Sequence, residues 1–117
     1  MTTVFNNIDR VAGDPYAAVH VTVELSWDST VSSLATVASN DTVIRGVYGS
    51  STDDNGHWEV DLVPNVDILP TGSLYKVTER ISATDDAQVY FVEVPDGATP
   101  PVVWVGDILQ DAPVWEA

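Results

Sequence analysis

The sequence predicts an all-β protein, an antiparallel β-sandwich or barrel of about seven short strands. Three observations carry this reading. Apolar and polar residues alternate in several short stretches, which is the period of a strand with one wet face. Clusters of Gly, Pro, Asn and Asp separate those stretches, as they do in domains built from short strands and turns. No long segment places apolar residues at helical spacing, so no helix is expected to organise the core.

Residues 1–12 show no clear partner pattern and read as an N-terminal arm. Gly13-Asp14-Pro15 then breaks the chain ahead of the clearest strand, Val19–Trp27. There every odd position is apolar and every even one polar, so His20 falls on the wet face. Val31–Val37 and Thr42–Tyr48 are rich in β-formers but alternate less cleanly, with Ser39-Asn40-Asp41 between them. After Asp53-Asp54-Asn55-Gly56, Trp58, Val60 and Leu62 alternate with Glu59 and Asp61. Pro64 to Gly72 is a connection, and Pro64 ends the strand because it has no N–H for a ladder. Tyr75 and Val77 alternate with Lys76 and Thr78. Asp85-Asp86 precedes Tyr90, Val92 and Val94, with Glu93 on the opposite face. Pro95-Asp96-Gly97 and Pro100-Pro101 lead to a last β-rich run, Val102–Val105. Residues 106–117 read as an amphipathic C-terminal tail holding Asp107-Ile108-Leu109 and Pro113-Val114-Trp115. The sandwich domain is thus expected at 13–105. The wet strand faces argue against a parallel sheet, whose strands are apolar on both sides.

Composition narrows the function. A chain of 117 residues suits one domain with a real core. It contains no Cys, which removes disulfides, thiolate nucleophiles and cysteine zinc sites. Four Lys+Arg face eighteen Asp+Glu, for a formal charge of −14. The cations, Arg10, Arg45, Lys76 and Arg80, form no run, so phosphate backbones and anionic membranes would be repelled. No apolar run approaches the roughly 20 residues that span a bilayer. The start, Met-Thr-Thr-Val-Phe-Asn-Asn, lacks the basic and apolar regions of a signal peptide. The expectation is a soluble protein made in the cytoplasm.

The stretch Asp53–Val77 is where chemistry would sit if there were any. A calcium loop would place Ser51, Asp53 and Asn55 in ligand slots around Gly56, but its closing Glu slot falls on Leu62 and the pattern fails there. Asn55-Gly56 is better read as a tight turn of type I′, with both residues at positive φ. His57 and Glu59 share the wet face opposite Trp58, as a solvated pair. No G-x-S-x-G presents a nucleophilic Ser, and nothing among eighteen acids singles out two for acid/base work. No catalytic residue, metal site or cofactor is expected. Trp58, in contrast, is core: burying it is worth about 4–6 kcal/mol.

Two long stretches carry a resemblance. "NGHWEVDLVPNVDILPTGSLYKVTE" and "VYFVEVPDGATPPVVWVGDIL" together make a D-x-x-G turn, an aromatic-led strand, L-x-P-N-x-D-I-x-P, Y-x-V-T-E, Y-x-V-x-V-P and a closing D-I-L. This pattern resembles a module of structural proteins of tailed bacteriophages, above all those infecting actinobacteria. "AGDPYAAVHVTVEL" looks like the first strand of such a module, and the resemblance covers most of residues 11–112. It implies an immunoglobulin-like or prealbumin-like sandwich in a virion component: a minor tail protein, the opening module of a tail fibre, or a head decoration protein. It implies no catalytic residue. No fibre or receptor-binding head follows the module in this chain, which favours a small stand-alone virion protein.

The expected function is therefore a non-enzymatic virion protein that assembles in multiple copies. Its partners are other capsid or tail subunits and copies of itself, with trimers and higher rings natural for such particles. Phe5 and Ile8 in the arm, and Leu109, Val114 and Trp115 in the tail, are the interface candidates, since Trp is a favoured anchor. The rival reading is a carbohydrate- or host-surface-binding module, which would use Trp104 and Tyr48 if those rings face solvent; both lie in apolar strands, so the core is their expected place.

Overall fold

Valine on alternate positions builds the centre of the molecule. In β2 (His20–Ser26), Val21 and Val23 are buried while His20 and Thr22 are exposed. The computed structural model describes residues 1–81, 86–96 and 102–116. Asp85, Gly97, Pro100 and Pro101, which the sequence marks as breakers, lie outside the described residues.

The described strands are β1 (Thr2–Asn7), β2, β3 (Ala35–Val37), β4 (Thr42–Ile44), β5 (Val47–Ser51), β6 (His57–Leu62), β7 (Ile68–Leu69), β8 (Leu74–Ile81), β9 (Asp86–Val92), β10 (Val102–Trp104) and β11 (Leu109–Gln110). They form a five-stranded sheet in the order β11-β9-β8-β2-β5, and two three-stranded sheets, β10-β1-β6 and β4-β3-β7. The protein is an all-β sandwich, as the alternation predicts. Its core joins Val4 and Trp58 of one sheet, Val21, Val23, Tyr75, Val77 and Val92 of the five-stranded sheet, and Ala35 and Ile68 of the third.

Three features differ from the sequence reading. First, residues 2–7 are not an arm. β1 is the middle strand of its sheet, antiparallel to β6 from Thr2↔Leu62 to Asn7↔His57 and parallel to β10 from Thr3↔Val102 to Phe5↔Trp104. Its inward positions are Thr2, Val4 and Asn6, so the apolar alternation is masked. Thr2 is nevertheless buried, because its hydroxyl donates to the Pro95 carbonyl at 2.8 Å. The parallel β1–β10 ladder is also an exception to an all-antiparallel sandwich. Second, Thr42–Tyr48 is two strands. Gly46 takes φ +97°, a left-handed conformation that glycine adopts without strain, and β4 and β5 part there into different sheets. Strand splitting of this kind raises the number of strands above the seven expected.

Third, the C-terminal tail does not extend away from the domain. Trp115 Nε1 donates to Ser26 Oγ at 2.8 Å, and Ser26 Oγ in turn donates to Glu116 Oε2. Lys76 Nζ closes the seam on Glu116 Oε1 at 3.4 Å. Ser26 lies opposite Leu74, and Lys76 opposite Phe91, so these four side chains share the outer face of the five-stranded sheet. Leu74 and Phe91 are buried on that face, on the side to which the tail is tied.

Candidate functional site

The turn before β6 shows how local sequence sets local structure. Gly56 N donates to Asp53 O, and Asp53 N to His57 O, both at 3.0 Å. Asp53 Oδ1 accepts from Asn55 N at 2.8 Å and from His57 N at 3.1 Å. These bonds hold the Asp53 carboxyl below its ordinary range, the His57 amide contributing most. Of the Asn55-Gly56 pair only Gly56 has positive φ, so the type I′ turn expected from the dipeptide does not form. The turn has Asp at its first position and Gly at its fourth, the preference of type I. Gly56 is needed for a second reason: a Cβ there would stand 2.2 Å from the Ile8 carbonyl oxygen.

Behind this turn lies a buried polar group that the sequence reading missed. Glu79, 8% exposed, continues the inward register of Tyr75 and Val77. Its Oε2 accepts from Trp58 Nε1 at 2.7 Å and from Asn6 Nδ2 at 2.8 Å. β8, β1 and β6 thus meet at one carboxyl group, and β10 joins through Asn6, whose Oδ1 accepts from Trp104 Nε1 at 3.1 Å. The Tyr90 hydroxyl is buried beside Glu79 and Asn6 and makes no hydrogen bond of normal geometry among the described residues. Burial first, and then the Glu79 charge, push its ionisation upward. Glu79 also borders an open cleft of about 650 Å³, with Asn6, Ile8, Val19, Ile81 and Gln88 among its walls. The strict alternation from Tyr75 onward was the signal that could have placed Glu79 inside.

On the outer face of the β10-β1-β6 sheet, Phe5 stacks on His57 with ring centroids 5.7 Å apart and planes at 28°. His57 Nδ1 faces Asn7 Oδ1 at 2.7 Å, and Nε2 faces Glu59 Oε1 at 2.9 Å. His57 and Glu59 do share the wet face. Among the described residues, no group of three or more His, Asp or Glu side chains is placed to hold a metal ion.

The interface candidates are scattered. Phe5 is half-buried under His57, and Ile8 is half-buried beside the cleft. Trp115 is half-buried on its own sheet, while Val114 is 86% exposed and Leu109 is also exposed. The two surface aromatics both face solvent in part, but apart from each other. Trp104, 47% exposed, lies on β10 over Gly106. Tyr48, 37% exposed, lies on β5, and its hydroxyl donates to the Glu59 carbonyl of β6 at 3.3 Å. They belong to different sheets, β10 to the three-stranded sheet of β1 and β5 to the five-stranded one.

No helix of the described residues is long and apolar enough to cross a membrane. Comparison with protein-family models and with curated proteins returns no match to this chain.

Proposed function

We propose that the protein is a non-enzymatic structural component of a tailed-bacteriophage particle, a small β-sandwich present in multiple copies against capsid or tail subunits. The observation that supports this is what the polar residues of the recognised motifs do. Asp53 closes its own turn. Asn65 accepts from Val94 N at 2.6 Å and donates to Ser73 Oγ at 3.2 Å. Asp67 accepts from the Ser39 amide and hydroxyl. Glu79 ties two sheets together. Each of these groups is engaged in holding strands and turns. A motif whose polar members hold the framework is a folding motif, and folding motifs suit a module whose task is to present surface. The −14 charge argues against a nucleic-acid partner and for protein neighbours.

Immunogold electron microscopy with an antibody to this protein tests the reading. Label over the head makes it a capsid decoration protein, and label on the tail makes it a minor tail protein. Particles that carry no label would contradict the virion reading.

One observation favours a second reading, a carbohydrate- or host-surface-binding module. Trp104 is 47% exposed on β10 and stands opposite Phe5 in the ladder, the residue whose ring stacks on His57. Sites for small ligands are lined by aromatic side chains with a few placed polar groups. Glycan-array binding that Trp104→Ala abolishes would support this reading, and a silent array would contradict it.

A further inference from the structure

We propose that β5 is an intermolecular pairing strand: two copies of this chain join antiparallel through β5, about a two-fold axis at Gly49. The inference extends the multi-copy reading above, and its test is separate from the test of that reading.

A strand at the edge of a sheet presents unpaired N–H and C=O groups, and proteins protect long edges with charge. Two of the described strands that end a sheet have five or more residues, β6 and β5, and they differ; β9 also runs past β11 over Asp86–Tyr90, a stretch that carries a charge at Asp86. β6 carries Glu59 and Asp61, and the Tyr48 hydroxyl occupies its Glu59 carbonyl. β5 reads Val47-Tyr48-Gly49-Ser50-Ser51, with no charged residue and with Val47 58% exposed. Its other side is held by β2 from His20↔Ser51 to Glu24↔Val47, so the strand is already extended and in place. In a chain of −14, an uncharged edge of this length stands out.

The occupant follows from symmetry and charge. A strand pairing with its own copy about Gly49 sets Gly49 opposite Gly49, Tyr48 opposite Ser50 and Val47 opposite Ser51. No like charges meet. Arg45 and Asp53 stand four residues to either side of Gly49, so the same symmetry brings Arg45 of each copy towards Asp53 of the other. Both are exposed. Arg45 makes no ion pair with any described residue, unlike Arg10 and Lys76. Asp53 engages only Oδ1 in its own turn. At the centre, nothing lies within 4 Å of where a Gly49 Cβ would stand, so the face of the sheet over the axis is clear. An edge contact of this length falls at the small end of specific interfaces, so the dimer is reversible and concentration-dependent.

Cysteine scanning reads the register directly, because the chain has no cysteine of its own. Residues directly opposite in an antiparallel ladder have Cα atoms about 4.5–5.5 Å apart, within reach of a disulfide. Gly49→Cys is expected to oxidise to a covalent dimer. Val47→Cys alone is expected to stay monomeric, and a mixture of Val47→Cys and Ser51→Cys to cross-link. Without oxidation, sedimentation of the unmodified protein is expected to show mass doubling with concentration. Gly49→Lys should abolish the doubling and leave the melting temperature unchanged. Equal cross-linking of Val47→Cys and Gly49→Cys, or an unmodified protein that stays monomeric at high concentration, would overturn the proposal. Absence of the protein from particles would tell against the virion reading and leave the dimer untouched.

Discussion

β6 and β5 are both edge strands of similar length, and they do opposite things. β6 drives Trp58 into the core, ties its indole to Glu79, and turns charge outward. β5 buries no side chain of its own. The first edge is defended and holds the sandwich together. The second is extended, uncharged and open. With β5 pairing as proposed, stability and contact fall to different edges, so substitutions on one should leave the property of the other intact.

The largest break in this contrast is Trp58→Ala. It removes a buried aromatic and a donor to Glu79, and is expected to destabilise the protein by about 3–5 kcal/mol in denaturant unfolding. Next comes Glu79→Leu, which leaves Trp58 Nε1 and the Asn6 amide without their acceptor. The expected cost is about 1–3 kcal/mol, measured in the same way.

Alkali sharpens the picture of the interior. Burial pushes the Tyr75 hydroxyl, which donates to Val63 O at 2.8 Å, up to about 12. The unfolded chain ionises this tyrosine near 10, so between those values the unfolded state binds fewer protons. Stability should fall as pH rises through about 10 to 12, and the buried Tyr90 acts in the same direction. Tyr75→Phe should flatten that fall in a pH series of thermal melts.

Smaller still is Ser26→Ala, which removes the hydroxyl shared by Trp115 and Glu116. It is expected to cost about 0.5–1.5 kcal/mol and to raise the proteolytic sensitivity of the tail. At the bottom of the scale, Val47→Ala on the open edge should change monomer stability by no more than about 0.5 kcal/mol. Raised salt should strengthen or spare self-association, since screening weakens repulsion between two acidic copies. Loss of the dimer at high salt would run against that expectation.

The contrast also marks how much the residues disclose before folding. The alternation over Val19–Trp27, Trp58–Leu62 and Tyr75–Thr78 located β2, β6 and β8, because their inward positions are apolar. β1 was illegible for the opposite reason. Its inward side includes Thr2 and Asn6, which are buried only because Pro95 O and Glu79 are there to bond them. The tail was illegible too: the bonds of Trp115 and Glu116 reach Ser26 across 89 and 90 positions of sequence, and no local pattern announces such a pairing. Tyr48 and Trp104 sit in apolar stretches, which made the core the expected place for both, yet both are partly exposed, because weak alternation does not tell which face a ring takes. The uncharged run of β5 was visible in the sequence, but its position at an edge is a property of the sheet order.

The most direct measurement is amide hydrogen exchange followed at low and high protein concentration. The account expects the β5 amides to gain protection as concentration rises, while those of β6 stay equally protected throughout. Protection of β5 that does not depend on concentration would contradict the assignment of contact to one edge and stability to the other.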